Sequence, residues 1–329
     1  MKIFVTHNPE DLEAYYRAAL EPLRALGEVR LNPAGRNLTT PELIEAAHGC
    51  EVIVSHRATH GATALFDGSP DLVAFLRCAV DIRDVDVDAA SANGVLVARA
   101  GPSFVAATAE MALALMLDLA RNVTESTLAY RAGEMPPQRM GRQLKGSTAG
   151  VIGFGRIGGY LSNILTAMGM RVLVHDPHKT ITTDGIAQVD FATLLRESDF
   201  VLPLAVATEE TENLIDAEAL SLMKPTAYLI NVSRGNLIDE AALEDALRDG
   251  RIAKLAMDVG RAPDQRPSPR LAGLPGVVAT PHLGGLTRES TEAQAMSSVE
   301  QVAALAEGRM PDRAVNPEHA SRLERLHKR

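Results

Sequence analysis

The stretch Val151-Ile152-Gly153-Phe154-Gly155-Arg156-Ile157-Gly158 decides the fold. Its opening belongs to an apolar run, AGVIGF, that reads as a strand, and its end opens a helix-like segment. A Gly-x-Gly-x-x-Gly pattern alone is weak. Here a second apolar run, Arg171-Val172-Leu173-Val174-His175-Asp176, follows and ends in an acid at the distance expected of a ribose-binding residue. Gly153 permits the tight turn, Gly155 lets a pyrophosphate approach the backbone, and Gly158 lets the helix pack on the strand. The helix N-terminus adds free N–H groups and a partial positive charge. Asp176 accepts from ribose hydroxyls and repels a 2′-phosphate, which favours NAD over NADP. His178 and Lys179 follow it and read first as an exposed turn. A tight β-α turn without a ligand is the bland alternative, and the full context weighs against it.

Working outward, DFVLPL, AYLINV, KLAMDV and VVAT continue the strand series, and a helix fits 239–249. Upstream, strands fit 2–6, 51–55, 74–76 and 95–98, and an amphipathic helix, kinked or shortened by Pro22, fits 9–26. Gly101-Pro102 breaks the pattern before a long, largely buried helix over 103–122; another helix fits 287–307. The Pro-, Gly- and Arg-rich segment 133–147 reads as a loop, and the charged tail 321–329 as helical or frayed. Alternating strands and helices predict an α/β protein with parallel sheets covered on both faces.

The chain has 329 residues, which suits two domains, and is 46% hydrophobic and 23% charged, ordinary values for a globular protein. Its 33 basic and 42 acidic residues give a net charge of −9, which argues against a general nucleic-acid or anionic-lipid surface. Aromatic residues are only 4%, without Trp, so base-stacking platforms are not expected. Cys50 and Cys78 cannot form a disulfide framework and read as buried free thiols of a cytoplasmic protein. The N-terminus does not read as a signal peptide, and the most apolar stretch, 111–120, contains Asp118 and is too short to span a membrane. No ligand spacing suggests a metal site and no Gly-x-Ser-x-Gly suggests a hydrolase.

Two further motifs follow strands, at the edge where ligands of open α/β sheets gather. In Asn231-Val232-Ser233-Arg234-Gly235 the guanidinium is suited to hold a carboxylate and polarise a carbonyl. In Ala279-Thr280-Pro281-His282-Leu283-Gly284-Gly285 the imidazole is suited to general acid–base work. Alone, each reads as a surface Arg or a structural His.

Together these pieces resemble the NAD-dependent D-isomer-specific 2-hydroxyacid dehydrogenase family, which includes phosphoglycerate dehydrogenase. Ala109-Glu110, His175-Asp176-Pro177, Thr208-Glu209-Glu210-Thr211, Leu222-Met223-Lys224-Pro225, Ile238-Asp239-Glu240, Met257-Asp258-Val259 and Val315-Asn316-Pro317 extend the likeness. The resemblance implies two doubly wound parallel-sheet domains. A Rossmann nucleotide domain, 102–286, is inserted into a discontinuous flavodoxin-like substrate domain, 1–101 with 287–329, and the two long helices cross between them. It also implies a homodimer, with segment 131–145 as its arm.

By the same resemblance, Arg234 clamps the carboxylate and 2-oxo group, and His282 exchanges a proton with the carbonyl oxygen as hydride moves to or from NAD. Gly155, Arg156 and Ile157 hold the pyrophosphate, Asp258 the nicotinamide carboxamide. Thr208, Ser233 and Gly284 line the cofactor cleft. Two departures stand out. The family's Glu partner of the catalytic His falls on Pro263; Asp264, or less directly Gln265, is its candidate replacement. The substrate loop, commonly Arg-Ala-Gly-x-Gly-x-Asp, reads Arg77-Cys78-Ala79-Val80-Asp81-Ile82-Arg83, so both glycines are lost. Ala79 then stands where backbone amides meet the substrate carboxylate. Phe104 points to a reshaped, partly apolar pocket. Arg57, Arg83 and Arg99 are candidates for a second acidic group, against a default of surface ion pairs. The reading is an oxidoreductase interconverting a 2-oxo acid and a D-2-hydroxy acid. The alternatives are an NAD(H)-binding regulator of corepressor type, or a dehydrogenase of a substrate such as formate.

Overall fold

The computed structural model describes residues 1–262 and 264–327. Its strands form two all-parallel sheets. The first holds β1 (Lys2–Val5), β2 (Glu28–Leu31), β3 (Val52–Ser55), β4 (Ala74–Arg77) and β5 (Leu96–Arg99), in the order β2-β1-β3-β4-β5. The second holds β6 (Thr148–Ile152), β7 (Arg171–His175), β8 (Ile186–Gln188), β9 (Phe200–Pro203), β10 (Tyr228–Asn231), β11 (Lys254–Met257) and β12 (Val277–Ala279), in the order β12-β11-β10-β9-β6-β7-β8. Two compact units result: Met1–Ser103 with Arg288–Arg329, and Phe104–Thr287.

Strands buried on both faces carry near-continuous apolar runs, as in Val-Ile-Val-Ser of β3 and Ala-Phe-Leu-Arg of β4. In the first unit one face packs on Tyr16, Leu23, Ala295, Val299, Val302 and Leu305, and the other on Leu43, Leu65, Phe66 and Ala90. In the second, one face packs on the helices Val105–Arg121 and Arg156–Ala167. The other packs on Phe191–Glu197, Ala217–Leu222 and Glu240–Arg248. Each sheet reverses its winding once, between β1 and β3 and between β6 and β9, and ligand crevices of such sheets open at those points on the carboxyl side.

Some local expectations shift. Helical structure runs from Pro9 to Arg24, but its second segment, Leu12–Tyr16, is a π turn, and Pro22 lies inside the helix Arg17–Arg24. The long helix ends at Arg121, where Asn122 turns left-handed (φ 56°) and a further helix, Val123–Arg131, begins. The following segment returns through Arg142, whose guanidinium lies 5.0 Å from the Tyr228 ring centroid, and buried Leu144.

Beyond the paired residues Val5, Val54 and Leu76, the same face of the first sheet carries His7, His56 and Cys78. The His7 ring lies 4.9 Å from His56 and 4.6 Å from Tyr16, and the Tyr16 hydroxyl is 2.5 Å from that of Ser298. Burial pushes the Cys78 thiol up to about 12. Burial, reinforced by His56, holds His7 down to about 3 from its ordinary 6.5, and burial also lowers His56. An unfolded His7 takes up a proton below about pH 6.5, whereas the folded one does not until pH approaches 3, so stability is lost as pH falls through that window. The folding free energy from denaturant titration should therefore fall more steeply between pH 6 and 5 in the wild type than in His7→Phe, by about 1 kcal/mol per pH unit. Equal slopes would refute the assignment.

Candidate active site

The loop after β6 meets the backbone demands its glycines imply. Gly153 adopts φ 97°, donates its N–H to the His175 carbonyl at 2.8 Å, and would place a Cβ 2.8 Å from the backbone of Ala205. A Cβ on Gly158 would lie 2.2 Å from the Gly153 carbonyl oxygen, so helix Arg156–Ala167 approaches the strand only with glycine there. Around Gly155, by contrast, a Cβ would meet nothing within 4 Å: this glycine leaves open space before the helix N-terminus. The first-turn N–H groups of Arg156 and Ile157 border that space.

Asp176, at the end of β7, accepts from the Phe154 N–H at 2.7 Å and the His178 N–H at 2.9 Å. Partial burial opposes its charge, but these bonds and Lys179 outweigh it and hold the carboxyl below its usual range. Each oxygen keeps a lone pair for another donor. Open space at Gly155, a helix N-terminus and an ionised acceptor together suit a dinucleotide's pyrophosphate and ribose. After β9, Thr208 is exposed and its N–H meets the Thr211 hydroxyl at 2.8 Å. The Ser233 hydroxyl donates to Ala205, beside Gly153, at 3.2 Å, tying the ends of β9 and β10 together.

Arg234 follows β10. Buried Asn231 holds its backbone, donating to the Arg234 carbonyl at 2.9 Å and accepting from the Ser233 N–H at 3.1 Å. The Arg234 side chain is half-buried and donates to the Ser233 carbonyl at 2.8 Å. Gly235 lies against Gly260, so the Arg234 turn and the loop after β11 are packed together.

His282 sits in a turn built on Asp258. Asp258 is wholly buried; one carboxylate oxygen accepts from the Thr280 hydroxyl at 2.5 Å and the Leu283 N–H at 2.8 Å, the other from the Gly284 N–H at 2.7 Å. Its carbonyl accepts from the His282 N–H at 2.9 Å. These bonds impose the left-handed backbone of His282 (φ 62°), a conformation that costs a non-glycine residue about 1 kcal/mol or more. A Cβ on Gly284 would stand 2.8 Å from the Asp258 carboxylate, and one on Gly285 would stand 3.1 Å from Phe104. Phe104 thus packs beside the His282 turn.

The loop after β11 separates the two candidate partners of His282. Asp264 is exposed and paired with Arg266, whose N–H it accepts at 3.2 Å and whose Nε lies 3.3 Å away. Gln265, at φ 60°, buries its Oε1 with no hydrogen-bond partner among the described residues. Pro263 lies outside the described residues.

In the first unit, Arg99 donates to the Val80 carbonyl at 3.2 Å and the Ala100 N–H to the Ala79 carbonyl at 3.2 Å, which brings Ala79 and Arg99 together. Arg57 is exposed after β3, and Arg83 is paired with Asp81. The sequence reading assigned no role to Asn231 or Thr280; nothing in their spacing signals these contacts. Among the described residues no group of acids, His or Cys is arranged to hold a metal, and no helix is long and apolar enough to cross a membrane.

The glycine loop's contribution to affinity and its contribution to folding are separable. Gly155→Ala should weaken NADH binding at least tenfold, measured by fluorescence titration, at a stability cost of about 1 kcal/mol or less. Gly158→Ala should instead destabilise the protein by about 2 kcal/mol or more. The same response from both variants would contradict this division.

Residues 113–284 match the family described as "D-isomer specific 2-hydroxyacid dehydrogenase, NAD binding domain". The chain is 32% identical to a D-3-phosphoglycerate dehydrogenase of Methanocaldococcus jannaschii over 96% of its own length and 59% of that protein's. It is 33% identical to a glyoxylate reductase of Thermococcus litoralis over 83% of its length and 86% of that protein's. The crystal structure of the TT0316 protein from Thermus thermophilus superposes with a TM-score of 0.85 at 31% identity, covering 96% of this chain and 100% of that one. The chain spans little more than half of the phosphoglycerate dehydrogenase but most of the reductase. With its two all-parallel α/β units and an NAD-binding domain around the glycine loop, the chain belongs to the D-isomer-specific 2-hydroxyacid dehydrogenase family.

Proposed function

We propose that the protein is an NAD(H)-dependent oxidoreductase that interconverts a 2-oxo acid and a D-2-hydroxy acid. The observation that carries this reading is the Asp258-built turn, which presents His282 in a fixed left-handed conformation beside Phe104. Gly153, Gly155, Arg156, Ile157, Gly158 and Asp176 would hold NAD(H), which when bound would supply or accept the hydride. Thr208, Ser233 and Gly284 border its place, while Asp258 acts mainly through the turn it holds. Arg234 clamps the substrate carboxylate and polarises the 2-oxo group. His282 donates a proton to the carbonyl oxygen in reduction and takes it back in oxidation. Ala79, Arg57 and Arg99 are the further residues assigned to the substrate. Loss of NADH absorbance across a panel of 2-oxo acids tests the reading: Arg234→Ala and His282→Ala should each lower kcat/KM by at least a thousandfold. Turnover that survives both substitutions would sink it.

The orienting partner of His282 is better supplied by Gln265 than by Asp264, because Arg266 already engages Asp264 while the Gln265 carboxamide oxygen is buried without a partner among the described residues. Asp264→Ala should leave kcat nearly unchanged. Gln265→Ala should lower it, and Gln265→Glu should move the alkaline limb of the pH profile for reduction upward, because a nearby carboxylate favours the imidazolium. The reverse pattern would return the role to Asp264.

The reading includes a homodimer. Leu128, Tyr130, Met135 and Met140 are exposed on helix Val123–Arg131 and the segment after it, and a second copy of the chain is the occupant we assign to them. Leu128→Asp with Tyr130→Asp should convert a sedimenting dimer to monomer. It also includes a cytoplasmic location, where buried thiols such as Cys50 and Cys78 remain reduced.

A further inference from the structure

Arg77, the last residue of β4, is 2% exposed, so its charge is withdrawn from water. Such burial is tolerated only where the guanidinium is fully engaged. Here Nη1 donates to the His56 carbonyl at 2.9 Å and the Thr59 carbonyl at 2.5 Å, Nε to the Asp81 carbonyl at 3.3 Å, and Nη2 to the Asp84 carboxylate. One side chain therefore ties the loop after β3 to the loop after β4, both on the carboxyl edge of the first sheet.

The loop after β4 has an uneven pattern of hydrogen bonds. Its carbonyls are taken by protein donors: Ala79 by the Ala100 N–H, Val80 by Arg99, Asp81 by Arg77, and Ile82 by the Val85 N–H. The N–H groups of Ala79 and Val80, by contrast, donate to no acceptor among the described residues. Two neighbouring amides without a protein acceptor, amid carbonyls that are already engaged, are donors available to an anion. Without glycine at positions 79 and 81, this backbone is held from outside, by Arg99 at one carbonyl and Arg77 at the next.

We propose that Arg77 is a positioning residue for oxo-acid binding: its buried guanidinium holds the loop so that the Ala79 and Val80 amides face the substrate carboxylate. The inference rests on the proposed 2-oxo acid activity. Arg77 touches no ligand itself; it acts through the loop. Its removal should weaken binding of the carboxylate in ground and transition state alike, which raises KM and leaves kcat.

The test compares wild type with Arg77→Met, Arg77→Lys and Asp84→Asn, each checked by thermal melting. Glyoxylate and hydroxypyruvate kinetics are measured at saturating NADH, and oxalate binding by calorimetry on the NADH-loaded protein. Arg77→Met is expected to raise KM and the oxalate Kd at least tenfold. It should leave kcat within about threefold and the NADH Kd within about twofold. Arg77→Lys, which keeps the charge but not the fork, should recover part of the loss. Asp84→Asn should reproduce a smaller form of it. If Arg77→Met does not fold, the Lys and Asn variants decide. A lowered melting temperature with unchanged KM and oxalate Kd in the folded variants would overturn the proposal and leave Arg77 a purely structural residue. A wild type that turns over no oxo acid would sink the activity while the oxalate comparison still judges Arg77. A wild type that does not bind oxalate would overturn the positioning role as well.

Discussion

The buried carboxylate of Asp258 is the contact on which the candidate chemistry depends. It meets the Thr280 hydroxyl and the amides of Leu283 and Gly284, and its own carbonyl receives the His282 amide. A fully buried carboxylate is costly unless its oxygens are engaged, and here they are engaged by the segment that carries the imidazole. The left-handed backbone at His282 is sustained by these bonds rather than by intrinsic preference. Gly284 follows from the same requirement, because a side chain there would meet the carboxylate. One acid thus explains an unusual backbone conformation, an obligatory glycine and the direction of the turn.

An acidic protein must gather anionic ligands by local means, and the structure offers several that do not depend on net charge. At the glycine loop, backbone amides and a helix N-terminus face open space. In the first unit, the Ala79 and Val80 amides are the proposed counterpart, with the guanidinium of Arg99 at the adjoining carbonyl. Amides of this kind stay in place at any pH the fold survives. Burial lowers both His7 and His56, after β1 and β3, so this pair adds little positive charge to the carboxyl edge of the first sheet.

What the sequence reveals follows from where the physical demand is written. The glycines at 153, 155 and 158 were legible because each answers a backbone requirement at fixed spacing, and the structure assigns each a separate cause. The central strands were legible because burial on both faces makes them continuously apolar. The edge strands β2 and β8 were not, since they are short and partly exposed, with Arg30 or Gln188 in their run. Helix Val123–Arg131 was hidden behind Asn122, whose left-handed turn reads only as the end of the preceding helix. Arg234 and His282 stood out through their motifs, but the bonds that hold them join Asn231 to Arg234 and Asp258 to Thr280 and Gly284. Pairings across a sheet edge leave no periodic trace. The choice between Asp264 and Gln265 depends on which side chain a loop turns inward, and spacing does not encode that.

The first unit is assembled from two stretches of chain separated by the whole of the second. One face of its sheet is covered by Ala295, Val299, Val302 and Leu305 of the helix Arg288–Ala306. During synthesis the five strands of that sheet emerge before the inserted unit, and this cover only after it. Until then the face bearing Val5, Val54 and Leu76 has no partner from that helix. The inserted unit, whose strands and helices are contiguous in sequence, has no such wait. The nested arrangement therefore imposes an order on biogenesis: the nucleotide-binding unit can close while the ribosome is still extending the chain, and the first unit completes this face of its core only after the helix Arg288–Ala306 has emerged. Its exposed apolar face in that interval is the stage at which the nascent chain is most open to misassociation.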